Sequence, residues 1–194
     1  MYGPLSLGGA NFRSVYVEQG IGQLSLFLKH WRLQTTTGTL LRIAISWFQL
    51  AIGISSTILE KPGITLPHLE SKWIGSLRSF LAHYDMAIHL DESMVPPVQR
   101  VHDAYIMDVV LQSQLFTAAE IRRINYCRLF LQAVTISDLV ETDGVTLDRS
   151  KFHPSLMSST TTFLHIHQGR PSEAEWQLWR KVNRLWSTAA FISR

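Results

Sequence analysis

The pattern of apolar and polar positions along the chain predicts helices separated by turn-rich connections. Apolar residues at helical spacing predict a first helix over about 16–31 and a second over about 39–58. The second helix is expected to stop before the Lys-Pro-Gly turn at 61–63, because proline cannot continue the hydrogen-bond ladder. A third helix is predicted to begin at Pro67 and to end near 82–84.

Two capping boxes mark helix starts in the second half of the chain. Thr117 and Glu120 precede an apolar run and predict a helix over 118–140. Ser172 and Glu175 predict the start of the last helix in the same way. In each box the hydroxyl and the carboxylate satisfy backbone N–H groups that have no partner within the helix.

The helix predicted over 118–140 has an apolar and a polar side, so it is expected to present a solvent or ligand face. The apolar side contains Ile121, Ile124, Cys127, Leu131 and Val134. The polar side contains Asn125, Arg128, Gln132 and Thr135.

These elements predict a mainly α fold: a helical bundle-like domain with a loop-rich segment and at most a short two-stranded β element. The loop-rich segment is 145–169, in which only 162–167 has a strand-like pattern. The Pro96-Pro97 pair interrupts the helices until about residue 98. We therefore predict an N-terminal helical part, 1–92, and a C-terminal helical part, 98–194, with one continuous domain as the alternative.

Composition and charge exclude several classes of protein. The 18 Lys and Arg exceed the 15 Asp and Glu, which gives a net charge of +3 and permits a polyanionic partner without requiring one. The single cysteine, Cys127, excludes an intrachain disulfide and is typical of a small buried residue in a reduced compartment. No secretory signal pattern is present, so an intracellular location, cytoplasmic or nuclear, is predicted. The uncharged run over 43–59 has a polar stripe, so it predicts a largely buried helix, and no membrane partner is expected.

Catalytic and metal-binding patterns are nearly absent from the sequence. Two-metal polymerase chemistry needs paired carboxylates, and no two aspartates are adjacent here, so the chain is predicted not to be an enzyme and to hold no cofactor. His165 and His167 have a spacing that could bind zinc or copper. No third ligand is assigned, so ordinary loop histidines are the favoured interpretation and no metal is predicted.

Two groups of basic residues are candidates for binding a nucleic acid. One lies on the capped helix and contains Arg122, Arg123 and Arg128; the other lies on the last helix and contains Arg180, Lys181 and Arg184. On the last helix these cations alternate with Trp176, Trp179 and Trp186, a combination that suits stacking beside phosphate contacts. Tryptophans at helical spacing are also typical of a core, and that interpretation stays open.

Five segments, in order along the chain, resemble one family. They are 4–9, 16–24, 68–73, 125–128 and 170–180, and they are similar to the thumb and connection region of non-LTR-type reverse-transcriptase proteins of eukaryotic retroelements. The resemblance covers nearly the whole chain and includes no catalytic signature. It implies a helical region that follows the polymerase core and helps to hold template and primer.

The function that the resemblance implies for this chain requires no catalytic residue. The chain would be a non-catalytic fragment that binds RNA or DNA weakly, with the missing polymerase core as a further partner. The alternative is a helical protein-protein interaction module with no nucleic-acid role, which would use exposed tryptophan and leucine faces.

Overall fold

The protein is described from a computed structural model over residues 14–90, 94–98, 100–101, 103–143, 146–153 and 169–188. The predicted mainly α fold is confirmed, because this part of the chain contains six α-helices and no sheet. The helices are α1 (Val15–Arg32), α2 (Thr36–Ile52), α3 (Lys72–His83), α4 (Ile106–Ser113), α5 (Ala118–Phe130) and α6 (Glu173–Thr188). Two short 3-10 helices, Ile136–Leu139 and Arg149–Lys151, lie between α5 and α6. The strand-like segment 162–167 lies outside the described residues.

The helices pack as two groups. In the first group α1 packs against α2 and α3, and in the second α5 packs against α4 and α6, which also contact each other. The contact between α2 and α5 joins the two groups. One hydrophobic cluster contains buried residues of both groups, from Phe27 of α1 to Val182 of α6. The two predicted parts therefore share a core.

Both capping boxes are confirmed by their hydrogen bonds. Thr117 N donates to Glu120 Oε2 at 2.8 Å, and Glu120 N donates to Thr117 Oγ1 at 3.3 Å. Ser172 N donates to Glu175 Oε2 at 2.7 Å, and Glu175 N donates to Ser172 Oγ at 3.4 Å. The starts of α5 and α6 thus follow from local sequence alone.

The end of α2 differs from the prediction, because the helix stops at Ile52 and not at residue 58. Gly53 adopts the left-handed conformation, with φ of 65°, and its N–H donates to Gln49 O at 2.9 Å. The buried Gln49 side chain then fixes the following turn: its amide nitrogen donates to Ser56 O at 2.9 Å, and its amide oxygen accepts from Ile58 N at 2.9 Å. The apolar periodicity continues past Gly53, which is why the sequence alone overextends the helix.

The predicted start of α3 at Pro67 is also wrong, because the helix begins at Lys72 with Ser71 as its N-cap. The connection before α3 is held by the buried guanidinium of Arg78, which donates to the backbone carbonyls of Ile58, Lys61, Pro62 and Ile64. The Arg78 side chain thus organises the α2–α3 connection from inside.

Two further helix boundaries in the second half are corrected. In the described residues the next helix, α4, begins at Ile106 and not near residue 98; it follows Tyr105, which pairs with Thr135 in an isolated antiparallel bridge. The helix predicted over 118–140 ends at Phe130, because Gln132 adopts a positive φ of 54°. The chain then starts a new turn, in which the Asp138 carboxylate accepts from Thr135 N at 2.9 Å. The Thr-x-x-Asp pattern over 135–138 is itself a capping signal that marks this break.

Arg128 is buried, and the prediction that it lies on a solvent or ligand face is wrong. Only 1% of the residue is exposed. Its guanidinium donates to Leu50 O at 2.9 Å, Ala51 O at 2.7 Å and Ala133 O at 3.1 Å. It also donates to the Oδ1 atom of Asn125, which is buried as well, at 2.9 Å. Burial lowers the pKa of Arg128 to about 9, so the group is still a cation at neutral pH.

The close approach of Arg128 to α2 also requires glycine at position 53. A Cβ on Gly53 would lie 2.7 Å from Cζ of Arg128, and the left-handed backbone there disfavours any other residue. The glycine thus ends α2 and leaves room for the guanidinium.

Within the described residues, none of the helices has the length and apolar character that a bilayer span requires.

Replacing Arg128 by alanine is expected to lower the free energy of unfolding by about 3–5 kcal/mol, because buried carbonyls lose their donors and a cavity remains. Urea denaturation at neutral pH measures this change. Arg123→Ala is the matched control, since Arg123 is an exposed arginine of the same helix, and its effect should stay within about 0.5 kcal/mol. Equal effects of the two substitutions would contradict the structural role of Arg128.

Candidate functional site

The basic residues predicted on α5 separate into two environments. Arg122 and Arg123 are exposed, whereas Arg128 is buried and uses its guanidinium within the fold. Arg122 Nε donates to Pro67 O at 2.7 Å, so this arginine lies against the loop that precedes α3. Arg128 cannot reach a phosphate, and it is removed from the candidate binding residues.

The three basic residues predicted on α6 also differ in their surroundings. Arg180 is half-buried, forms an ion pair with Glu173 and donates to Phe152 O at 3.4 Å. Lys181 and Arg184 are exposed. Arg180 therefore already has an acidic partner on its own helix. Lys181 and Arg184 are more exposed than Arg180 and are better placed to meet an outside anion, although Arg184 also takes part in interactions within the chain.

Exposed cations of α5 and α6, two helices that pack together, act on the same carboxylate. The pKa of the Glu120 carboxyl is lowered first by hydrogen bonds from Thr117 and then by the positive charges of Lys181 and Arg123. One carboxylate therefore lies near a cation from each helix. Because Arg184 follows Lys181 by about one helical turn, we define Arg123, Lys181 and Arg184 as the basic face.

The tryptophans of α6 belong to the core as far as their side chains are described. Trp176 and Trp179 are buried, so the core interpretation is confirmed for both. The Trp176 ring meets the Phe130 ring edge-on, with 5.9 Å between ring centroids. The Trp179 ring stacks on the Phe152 ring, with 6.3 Å between centroids. Neither ring is available to stack on a base. The side chain of Trp186 lies outside the described residues.

A small cavity lies between the C-terminal half of α2, the loop before α3, and α5. Its volume is about 50 Å³. Its walls combine apolar side chains with polar ones. They are Phe48, Ala51, Ile52, His68, Leu69, Glu70, Arg122, Asn125, Tyr126 and Leu129. The cavity is thus next to the exposed Arg122.

His68 is the most buried polar ring at this cavity, with 6% of the residue exposed. Its Nε2 lies 3.0 Å from Ile52 O. Since a carbonyl oxygen only accepts hydrogen bonds, Nε2 carries the proton and Nδ1 is an acceptor. Among the described residues, no donor reaches Nδ1. The pKa of His68 is lowered to about 4, mainly by burial and to a smaller extent by the nearby cations of Arg128, Arg122 and Arg78.

The other candidates from the sequence provide no site in the described part of the chain. Cys127 is buried, and desolvation raises the pKa of its thiol, so it is not an activated nucleophile. His165 and His167 lie outside the described residues. Elsewhere, no group of three potential metal-ligating His, Cys, Asp or Glu side chains comes together within the described ranges.

The sequence interpretation missed the cavity and the role of His68. His68 had been placed in the first turn of a helix, whereas it lies in the loop before α3 and its ring reaches back to the end of α2. Pro67 predicts a helix start that the structure does not have there, and the partner of His68, Ile52 O, is distant in sequence. Comparisons with protein-family models, curated proteins and solved structures gave no match to this chain.

The buried His68 is expected to make the fold sensitive to mild acid. Its folded pKa of about 4 lies below its ordinary value of 6.5, so the unfolded chain binds a proton first as the pH falls. The contribution of His68 to the free energy of unfolding is complete above the unfolded pKa and is lost on acidification. The free energy of unfolding should therefore fall by about 2 kcal/mol between about pH 7 and pH 5. Urea denaturation at the two pH values measures it.

His68→Gln should reduce this pH dependence, because the amide can still donate toward Ile52 O but does not titrate. His153→Gln, at an exposed histidine, is the control and should retain the wild-type dependence. An unchanged pH dependence in His68→Gln would show that another group is responsible.

Proposed function

We propose that the chain is a non-catalytic helical fragment of a retroelement reverse-transcriptase-like protein and that it binds RNA or DNA weakly through the basic face. The observation that carries this proposal is that Arg123 of α5 and Lys181 of α6 are exposed on two helices that pack together, and that both cations lower the pKa of Glu120. The resemblance of the sequence to a thumb and connection region supports it, since such a region would lie beside template and primer.

The arrangement on the basic face suits weak contacts with a nucleic-acid backbone. Lys181 and Arg184 extend from one helix and Arg123 from its neighbour, so the charges can follow a strand without reading bases. Glu120 opposes a phosphate at the same place, and the two buried tryptophans offer no stacking surface. Modest, sequence-independent affinity is the expected consequence.

The experiment is binding of the chain to a labelled RNA hairpin and to a primer-template duplex at several salt concentrations. With about three phosphate contacts, affinity should weaken about 20- to 40-fold between about 50 and 200 mM salt. The Arg123→Ala/Lys181→Ala/Arg184→Ala variant should lose this binding at low salt.

The matched control replaces three exposed lysines of other elements, Lys29, Lys61 and Lys72, by alanine. It removes the same net charge from the chain and should retain most of the affinity. Absence of binding at low salt in the wild-type chain, or an equal loss in both triple variants, would overturn the proposed role of the basic face.

A second candidate function is protein-protein interaction through one side of α2. Leu40, Ile43, Trp47 and Leu50 follow one another at spacings of three, four and three, and they form what we call the α2 stripe. Leu40 is 61% exposed and Ile43 is 60% exposed. The only charged residue of α2, Arg42, donates to Trp31 O and lies over the Trp31 ring. The resemblance implies a polymerase core as a partner of the chain, and we propose that this apolar surface is where it binds.

The two candidates differ in salt dependence and in the residues on which they depend. Binding of a separately supplied polymerase core through the α2 stripe should persist at about 0.5 M salt, because an apolar contact is not screened. Leu40→Ser/Ile43→Ser should abolish that binding and leave nucleic-acid affinity unchanged. Titrating the nucleic acid and the polymerase core against the α2-stripe variant and the basic-face variant measures these differences. If only the basic-face variant loses binding of the polymerase core, the α2 stripe is excluded as its binding surface.

A further inference from the structure

A pocket lies between α1, α2 and α3, and it shares no residue with the cavity beside α5. We call it the Trp73 pocket. Its volume is about 210 Å³. Its walls are mainly apolar, with two polar side chains among them. They are Leu26, Phe27, His30, Thr37, Leu41 and Trp73.

The Trp73 pocket is accessible from solvent. Leu26 is 50% exposed and Thr37 is exposed. His30, Leu41 and Trp73 are half-buried. Each of these side chains keeps accessible surface in the folded chain, so a ligand can reach the walls without a change in the structure.

The Trp73 ring is supported by the aromatic part of the core. The ring of Phe27, which is fully buried, packs against the Trp73 ring with 6.2 Å between ring centroids. Phe27 also stacks on the Trp31 ring, with 5.6 Å between centroids. Aromatic pairs are stabilised beyond the area that they bury. An aromatic group is therefore the ligand that suits this wall best.

The size and polarity of the pocket limit the ligand to one ring. An apolar cavity of about 150 Å³ binds benzene, and the Trp73 pocket has about 210 Å³. A phenyl or indole ring therefore fits, while the rest of the ligand stays outside. A nucleobase suits the pocket less well. Its several donors and acceptors would meet only His30 and Thr37 as polar side chains, and an unpaired polar group is costly to bury.

The charges around the pocket favour a negatively charged partner. The described helices α1, α2 and α3 contain a single acidic residue, Glu18, in the first turn of α1. Lys29 is exposed and lies about one helical turn from Leu26 on α1. Lys72 is exposed and directly precedes Trp73. Along the sequence, the charged residue nearest to every pocket residue is a cation.

Two carboxylates oppose a negatively charged partner, and neither belongs to the pocket walls. Glu18 precedes Lys29 by 11 residues, which is about 16 Å along a helix. Glu70 precedes Lys72 by two residues, but it lines the cavity beside α5. It is exposed, so solvent screens its charge. Both carboxylates also take part in interactions within the chain.

We propose that the Trp73 pocket binds an aromatic side chain from an acidic segment of a partner protein. The ring packs on Trp73, and the carboxylates that flank it in the partner pair with Lys29 and Lys72. A buried aromatic anchor supplies most of the affinity, and the charged flanks steer the encounter. The pocket residues belong to α1, α2 and α3, whereas the basic face belongs to α5 and α6. The inference therefore goes beyond nucleic-acid binding and does not depend on it.

The experiment titrates the full chain into the fluorescein-labelled peptide Glu-Glu-Ser-Phe-Ser-Glu-Glu at low salt and measures fluorescence anisotropy. Saturable binding is expected. Replacing the phenylalanine of the peptide by alanine should weaken binding about tenfold or more, because burial of the ring is lost. Replacing its glutamates by glutamine should weaken binding and remove its salt dependence.

Two tryptophan substitutions in the first turn of α2 test where the peptide binds. Thr37→Trp places an indole at the pocket and should abolish binding. Thr36→Trp is the matched control, because Thr36 is an exposed neighbour that does not line the pocket, and it should bind like wild type. Thermal denaturation of both variants checks that they remain folded.

The two triple variants of the nucleic-acid experiment exchange their roles here. The lysine variant, which replaces both proposed partners of the peptide carboxylates, should weaken peptide binding about three- to tenfold. The basic-face variant should retain the wild-type affinity. Each variant removes three positive charges, so net charge cannot explain the difference.

Other outcomes would overturn this assignment. Absence of saturable binding, or equal binding of the phenylalanine and alanine peptides, would exclude an aromatic anchor. Equal effects of Thr37→Trp and Thr36→Trp would place the peptide elsewhere. If the RNA hairpin displaces the peptide from the basic-face variant, the pocket belongs to a nucleic acid. If sedimentation shows self-association that only Thr37→Trp removes, the occupant is a second copy of the chain. Failure of the chain to bind nucleic acid would overturn the basic face and leave this inference unchanged.

Discussion

The fold depends on how the last turn of α2 satisfies its carbonyl groups. The final four carbonyls of a helix have no partner within it. Here Gly53 N donates to Gln49 O, Arg128 donates to Leu50 O and Ala51 O, and His68 lies within hydrogen-bond distance of Ile52 O. The positive charge of Arg128 also lies at the negative end of the α2 dipole. The same contacts place α5 and the loop before α3 against α2, and the cavity is the space left between them.

Local signals predicted what local interactions determine. The starts of α5 and α6 follow from Thr117 and Ser172, whose partners are three residues away. The end of α2 could be read only from Gly53, since the apolar pattern continues beyond it. Arg78 and Arg128 could not be placed from the sequence, because an arginine that donates to distant backbone carbonyls has the same local pattern as one in solvent. Their acceptors are set by the tertiary fold.

The candidate binding residues also divide into those placed by local sequence and those placed by the tertiary fold. Arg123 and Lys181 are at the surface, and only the packing of α5 on α6 brings both cations within electrostatic reach of Glu120. Arg128 lies on the same helix as Arg123 but turns inward, because its neighbours Ile124 and Cys127 face the core. His68 had no sequence signal beyond its adjacency to Pro67. The number of basic residues on α5 therefore overestimates its exposed positive charge, and the composition of the chain does not indicate the cavity.

The contact of Arg128 with α2 also bears on how the chain folds. It joins residues 78 positions apart in the sequence, whereas α1 and α2 are neighbours separated by a short connection. Closing a long loop costs entropy before any contact is gained, so neighbouring helices are expected to pair early and the Arg128 contacts to form late. An interaction formed after the transition state mainly slows unfolding. The buried guanidinium of Arg128 would then mainly lengthen the lifetime of the native state.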